Sequence, residues 1–492
     1  MKQHRTVDLK AIAWDAMSKY GFEPRFPEPV VREVNALNPG EIPSLGKEAR
    51  DLRALLWSSI DNIDSEDLDQ LEYCEPGPGG EIHMKIAIAD VDLFVPKESR
   101  TDRHAAHNTT SIYTGVVTFP MIPERLSHGI TSLLPGQDRM AVVLEYMVLP
   151  DGSFRPGDVY RAMVSNKAKL VYEEVGDWLE GTGSIPRGVR EVAGLEEQLR
   201  LQQEAMVRLK RFRVTQGALD LQTLEAQPVI DDDTIRDLVI QRQNMARCVI
   251  EEFMIAANGT MVARLEKARI PMIQRVVRVP KNWDGIRETA AKYHEALPPE
   301  PDQKALAAFL RRRKQADPER FPDLSLTIVK LLGHGEYVAL EPGDDPIGHF
   351  GLAVTDYTHA TAPNRRYVDV INQRLVKSVL EGKSLPYTPE ELQGHAEWIT
   401  ERERASNKVE RFMRKAVAAV LLRDRIGDTF DAIVTGAAEK GIWVRLLQPP
   451  AEGKVVQGER GLRVGQKVRV RLLKTDPYHA FIDFACVGRV EG

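Results

Sequence analysis

Apolar positions along the chain follow two rhythms, one near 3.6 residues and one near two. Leu9, Ile12, Ala13 and Met17 predict a helix from Val7 to Tyr20, with Gly21 as its stop. Pro29 to Leu37 predicts a second short helix, closed by Asn38-Pro39-Gly40. Such a pair is too small for its own core and is expected to pack on the larger domain after it, as a structural appendage or a helix-turn-helix element. From Asp51 to about Leu149 the pattern turns strand-like. The turn Glu75-Pro76-Gly77-Pro78-Gly79-Gly80 precedes Ile82 to Val91, whose Ile86-Ala87-Ile88-Ala89 centre reads as buried, and Met140 to Leu149 reads as another strand. Tyr172 to Phe212 and Asp233 to Leu265 read as largely helical. Residues 395–425 predict a long helix with an apolar stripe through Trp398, Ala405, Val409, Phe412, Met413, Val417 and Val420. Another face of it is basic, with Arg404, Lys408, Arg411 and Lys415. After Gly427 the rhythm of two returns at Phe430–Val434, Ile442–Leu446, Val468–Leu472 and Ala480–Phe484, which predicts a small five-stranded OB-type barrel. The sum is an α+β chain. It divides into a helical extension (1–47), a mixed sheet surrounded by helices (48–425) and a barrel (426–492).

Composition narrows the class. The 492 residues suffice for one large domain and one or two small ones. Three cysteines (Cys74, Cys248 and Cys486) have no disulfide or metal spacing, which points to a reducing, cytoplasmic setting. No apolar run approaches the roughly 20 residues of a membrane helix, and the start lacks a signal-peptide core. A net charge of -5 gives no global signal for nucleic acid, so such a site must be a local basic surface.

One stretch stands out chemically. Between Ser59 and Gln70 the chain places five carboxylates, on Asp61, Asp64, Glu66, Asp67 and Asp69. Like charges so close repel unless solvent or a cation screens them. A divalent metal held by hard oxygen ligands is one reading and a solvated acidic turn is the other. An EF-hand is excluded, because Glu66 stands where its loop requires Gly.

Further motifs lie far away. Tyr113 is followed by Thr118-Phe119-Pro120-Met121-Ile122-Pro123-Glu124-Arg125-Leu126-Ser127. His349-Phe350-Gly351-Leu352-Ala353 leads into Tyr357 through Asp369, and Glu403-Arg404 and Glu410-Arg411 lie on the long helix. In these motifs, from about Asp51 to Arg425, the chain resembles the RNase II / RNase R family of exoribonucleases, with an S1-type OB fold behind. The resemblance implies a processive, sequence-indifferent, Mg²⁺-dependent (or Mn²⁺-dependent) hydrolase. It would remove nucleoside 5′-monophosphates from the 3′ ends of single-stranded RNA, as a monomer without membrane attachment.

Carried over residue by residue, the resemblance makes Asp61, Asp67 and Asp69 metal ligands, with Asp69 the most damaging to lose. The fourth ligand position, usually Asp, is Gln70 here. Its amide oxygen can ligate Mg²⁺ but brings no charge; Glu72, Asp64 or Asp92 could restore it. Asp90 is expected to be structural. Arg365 takes the place of an arginine that stabilises the phosphoryl group, and its planar fork suits that task. Arg366 is a second RNA-binding candidate and the better partner for Asp369. Ala362 and Asn364 depart from the family's Ser-Pro-Ile-Arg pattern. Glu410 matches a glutamate that positions the RNA end. Tyr113 matches an aromatic that stacks on a terminal base, a grip blind to sequence. The opposing aromatic clamp is expected near Ala218-Leu219-Asp220-Leu221-Gln222, where none occurs.

In the barrel, Trp443 matches an RNA-stacking position, with a core Trp as the alternative. Lys440 stands near the place of a preceding aromatic. Lys467, Arg469 and Arg471 alternate at strand spacing, as phosphate contacts or a solvated face. Family members commonly carry two cold-shock folds before the catalytic module. Roughly 50 residues cannot hold them, which leads to the expectation of a more open RNA entrance. A rival reading makes the chain a catalytically weakened RNA-binding or regulatory protein disabled at Gln70.

Overall fold

Strands rich in Ile, Val and Ala, buried along most of their length, demand cover on both faces. In the computed structural model, which describes residues 7–38, 49–222, 224, 226–231, 234–438 and 441–489, they form a seven-stranded mixed sheet. Its spatial order is Arg50–Asp51, Phe154–Ser165, Asp138–Val148, Ile82–Ala89, Gln70–Pro76, Ser58–Asp61 and Ala168–Val171. Helices Leu195–Gln216, Met245–Lys267 and Tyr367–Leu380 share its main core, with Phe253, Ile371 and Leu375 fully buried. Antiparallel pairing of Gln70–Pro76 with Ile82–Ala89 runs from Gln70↔Ile88 to Pro76↔Ile82. The Pro-Gly turn therefore closes one end of that hairpin, and the acidic stretch sits at the other.

The long helix spans Pro389–Leu422, starting earlier than residue 395 because Thr388 and Glu391 form a reciprocal capping box around its first turn. Arg423–Arg425 continue as a single 3₁₀ turn. One correction concerns Asp233 to Leu265. Ala226–Asp231 and Thr234–Ile240 form an antiparallel hairpin, and the helix begins only at Met245, capped by the Asn244 side chain. The hairpin prevails because Leu238 is buried against the barrel core, and β-branched Ile235, Val239 and Ile240 suit a pleated ribbon. Asp233 itself lies outside the described residues, as do Pro39, Gly40 and Lys440.

Thr429–Ala438, Gly441–Leu446, Glu452–Gln457, Phe481–Arg489 and Lys467–Asp476 close into a five-stranded barrel in that order. Its core is continuous with Val417, Ala418 and Leu422 of the long helix. The two N-terminal helices, Leu9–Lys19 and Glu28–Asn35, pack on the rest of the chain. Ile12, Ala13, Ala16 and Met17 bury against Val409, Met413 and Ala416 of the long helix and against Ile112 and Phe119 of a short ribbon. Trp14 meets Phe119 edge-on at 5.1 Å. Helices Trp283–Ala291, Gln303–Ala316 and Phe321–Leu332 form a smaller core of their own around Phe309 and Ile328. Leu219 and Leu221 pack against it, while Asp220 pairs with Lys314.

Candidate active site

The acidic stretch is half strand and half loop. Asp61 ends the penultimate strand of the sheet and Gln70 begins its neighbour, so the loop between them lies at one end of the strands. Its backbone is pinned from beneath. The Lys169 ammonium donates to the carbonyls of Ile63 (3.0 Å) and Ser65 (2.5 Å). The Ser132 hydroxyl accepts from Leu68 N–H and donates to the Glu66 carbonyl. Arg247 reaches Asn62 Oδ1 at 3.1 Å while lying over the Tyr172 ring.

Asp69 is nearly fully buried. Its Oδ1 accepts from Asn364 N–H at 2.9 Å, and its Oδ2 faces Arg365 Nε at 3.3 Å. Asn364, where the family pattern has Ile, accepts a 2.6 Å bond from the Thr131 hydroxyl and so locks this loop. Burial pushes the Asp69 carboxyl up to about 7, with Asp67 adding to the rise and Arg365 opposing it. Burial likewise pushes Asp61 up to about 6. Asp67 accepts a 2.9 Å bond from the Tyr113 hydroxyl, which ties the ribbon Ile112–Tyr113 and Thr118–Phe119 to the acidic loop.

A cavity of about 1460 Å³ unites these groups. Asp61, Asp67, Asp69, Gln70, Tyr113, Arg365 and Glu410 all line it, although residues 61 and 410 come from opposite ends of the sequence. The long helix adds Arg411, Arg414 and Lys415 to the lining, and the barrel adds Arg445, which pairs with Asp323 at 2.9 Å, and Glu452, which lies 3.9 Å from Lys415. Arg366 and Trp443 do not line it. Arg366 grips Asp369 through two 2.8 Å bonds, and Trp443 is half-buried with the Lys454 ammonium 6.0 Å from its ring centre. Trp443 and Arg445 nevertheless project from the same face of one strand. On the helix, Glu403 is engaged by Arg275 at 2.5 Å, two turns from Glu410. Lys467 and Arg469 also lie away from the cavity and pair with Glu319 and Asp431.

The acids named as substitutes for the charge lost at Gln70 are not equivalent. Asp92 is taken up by Arg374 (2.6 Å) and Lys377 (2.9 Å), and Asp90 by Lys377 (2.7 Å) and Arg161 (3.1 Å). Asp64 is exposed in the loop. Glu72 is fully buried with no hydrogen-bond partner on either oxygen.

Tyr172, Arg247 and Lys169 are site residues that no motif announced. Tyr172 and Arg247 line the cavity, and Lys169 shapes its floor from a strand the apolar pattern left unassigned. The only cue in the sequence is cationic or aromatic character beside strand residues, a weak one.

Among the described residues, no three His, Cys, Asp or Glu side chains are gathered closely enough to enclose a metal. The chemistry of the donors still fits a hard divalent cation. Asp61, Asp67, Asp69 and Gln70 offer oxygen only, and Asp61 Oδ2 is buried without any hydrogen-bond partner.

Comparison with known proteins shows the family. Residues 49–382 match the RNB domain, and residues 428–487 match the RNase II-type exonuclease C-terminal S1 domain. The chain belongs to the RNB family. Ribonuclease R of Thermotoga maritima is 29% identical over 500 residues, covering 94% of this chain and 68% of that protein. Among solved structures, Mycoplasma genitalium RNase R in complex with ribose-methylated single-stranded RNA is similar with a TM-score of 0.86. It has 22% identity and covers 98% of this chain and 78% of its own. The fold is also shared by yeast Ssd1, described as a pseudonuclease, with a TM-score of 0.70, 15% identity and coverage of 95% and 58%.

Proposed function

We propose that this RNB protein is a 3′-to-5′ exoribonuclease that hydrolyses single-stranded RNA processively, without regard to sequence, and releases nucleoside 5′-monophosphates. Residues 48–425 would form the catalytic unit and 426–492 an RNA-holding barrel, acting as a monomer in the cytoplasm. The observation that carries the reading is the convergence of Asp61, Asp67, Asp69, Arg365, Tyr113 and Glu410 on one cavity.

Each residue has a task its chemistry suits. Asp61, Asp67, Asp69 and Gln70 would hold Mg²⁺ or Mn²⁺, which when bound supplies charge neutralisation at the scissile phosphate. Arg365 presents a guanidinium whose Nε is already oriented by Asp69, leaving its other donors for phosphate oxygens. The Tyr113 ring is 44% exposed, and the Asp67 bond fixes its tilt, so it can stack on any base. Glu410, which lines the same cavity, would orient the terminal nucleotide. Arg411 and Lys415, which line the cavity, would attract the phosphate backbone.

A second reading, a catalytically weakened RNA-binding or regulatory protein, is favoured by one observation: Gln70 lines the floor where the family has a carboxylate. Incubation with end-labelled RNA or DNA, in Mg²⁺ or in EDTA, separates the two. Mononucleotide release from RNA with Mg²⁺ alone is expected. RNA retention without cleavage would favour the second reading.

A further inference from the structure

Two units that both line the cavity share no apolar core. Helices Trp283–Ala291, Gln303–Ala316 and Phe321–Leu332 bury Phe309 and Ile328 among themselves, while the barrel buries Val444 and Phe484. Among the described residues, no side chain belongs to both clusters. Pro322, Leu326 and Lys330 of the last helix nevertheless line the same cavity as Thr435, Ala451 and Glu452 of the barrel. Charge joins the two units there. Arg445 Nη2 lies 2.9 Å from Asp323 Oδ1, and Lys467 Nζ lies 3.8 Å from Glu319 Oε2.

Neither pair is tightly made. The Glu319 side chain is 85% exposed, so its attraction to Lys467 is screened by water and salt. Asp323, in the first turn of its helix, is buried, yet neither of its oxygens accepts a hydrogen bond among the described residues. Burial pushes its carboxyl up, and Arg445 is the charge that opposes the rise. A buried ion pair without supporting hydrogen bonds gains little beyond the desolvation it suffers. Arg445 has an alternative, because it lines the cavity and Asp323 does not. A guanidinium fork can hold a phosphate through two parallel hydrogen bonds, a grip that the Asp323 contact lacks. Since no packed core ties the two units, Arg445 can turn from one partner to the other without breaking apolar contacts between them.

We propose that Arg445 is a masked phosphate site, which Asp323 occupies until a phosphodiester of bound RNA takes its place. The inference rests on the reading of the cavity as an RNA site. Asp323 competes with the RNA backbone for one guanidinium and thereby limits how tightly the cavity holds its substrate. It is a specificity residue for the chain's own affinity, and it does not meet the reacting atoms.

Binding of a single-stranded oligoribonucleotide to the full chain, followed by fluorescence anisotropy in EDTA so that metal-dependent cleavage is stopped, tests this. Asp323→Asn removes the competitor and should tighten binding roughly tenfold, the order of one charge-assisted contact. In an Arg445→Gln background the same substitution should leave affinity within about twofold, because the two residues act as a pair. Arg445→Gln placed in the Asp323→Asn protein should also lower the salt slope by about 0.7, the share of one phosphate on a single strand. Asp323→Ser provides the same comparison should the asparagine variant fail to fold. Unchanged or weaker binding by the folded Asp323 variants, or an equal gain without Arg445, would overturn the proposal. The two claims fail separately. A wild-type chain that binds RNA in this pattern but leaves it intact when Mg²⁺ is restored would sink the nuclease reading alone. RNA hydrolysis with RNA affinity indifferent to Asp323 would sink this proposal alone, and a wild-type chain that binds no RNA would sink both.

Discussion

Arg365 Nε lies 3.3 Å from Asp69 Oδ2, a contact between residues 296 positions apart in sequence. It joins the loop after Tyr357 to the acidic floor, and a neighbouring bond from Asn364 N–H to Asp69 Oδ1 makes the join two-point. The fork geometry matters here because one edge serves Asp69 and the other is left for phosphate. Arg365→Lys keeps the charge and loses the fork. We expect single-turnover cleavage to fall by about 10²-fold or more, with the melting temperature little changed because Arg365 is partly exposed. Wild-type cleavage in this variant would show that the guanidinium has no role at the phosphate.

Burial holds Asp61 at about 6 and Asp69 at about 7, both above the ordinary value of 3.8. The folded chain therefore binds more protons than the unfolded chain between about pH 4 and 7, and metal-free stability should fall as pH rises through that window. A divalent cation has the opposite preference, because it requires the carboxylates deprotonated. Thermal melts with and without Mg²⁺ should show a larger stabilisation at pH 8 than at pH 5. At roughly a hundredfold excess over Kd the gain would approach about 2.7 kcal/mol. Equal Mg²⁺ shifts at both pH values would contradict this linkage.

Tyr113 combines two functions that substitution separates. Tyr113→Ala removes the ring and should weaken binding of a 3′-terminal base by about 1–3 kcal/mol. Tyr113→Phe keeps the ring and loses only the hydroxyl bond to Asp67. Fluorescence titration with short RNA should find near-normal affinity for the phenylalanine variant and a clear loss for alanine. Equal losses would assign the effect to the hydroxyl.

Much of this architecture is legible in the chain, for identifiable reasons. The long helix and the barrel carry unbroken periodicity, and the cluster from Asp61 to Gln70 is visible because like charges rarely crowd so closely. The hairpin Thr234–Ile240 reads as helix in sequence because its pairing partner and the barrel contact at Leu238 are tertiary facts. Strands Phe154–Ser165 and Ala168–Val171 and the helices between 283 and 332 have no clear sequence signal, being defined by what they pack against. Lys169 and Arg247 are hidden for the same reason. Their role is to hold backbone carbonyls and an amide brought near by folding.

Met17 shows how the N-terminal helix bears on the site. It is 1% exposed and packs among Val409 and Met413 of the helix carrying Glu410, beside the ribbon carrying Tyr113. Met17→Ala should cost about 2–5 kcal/mol by the usual cavity effect. Chemical denaturation would measure this, and a change below about 0.5 kcal/mol, typical of surface positions, would mean the helix is not held as described.

The central claim is that Asp69 belongs to a hydrolytic centre, and Asp69→Asn tests it most directly. The amide preserves shape and removes one negative charge from a site that already has an uncharged Gln70. With 3′-overhang RNA labelled along its length and Mg²⁺ present, the variant should release no mononucleotide while still retaining the RNA in a mobility-shift assay. Turnover by Asp69→Asn at a rate near that of the wild-type chain would contradict the account.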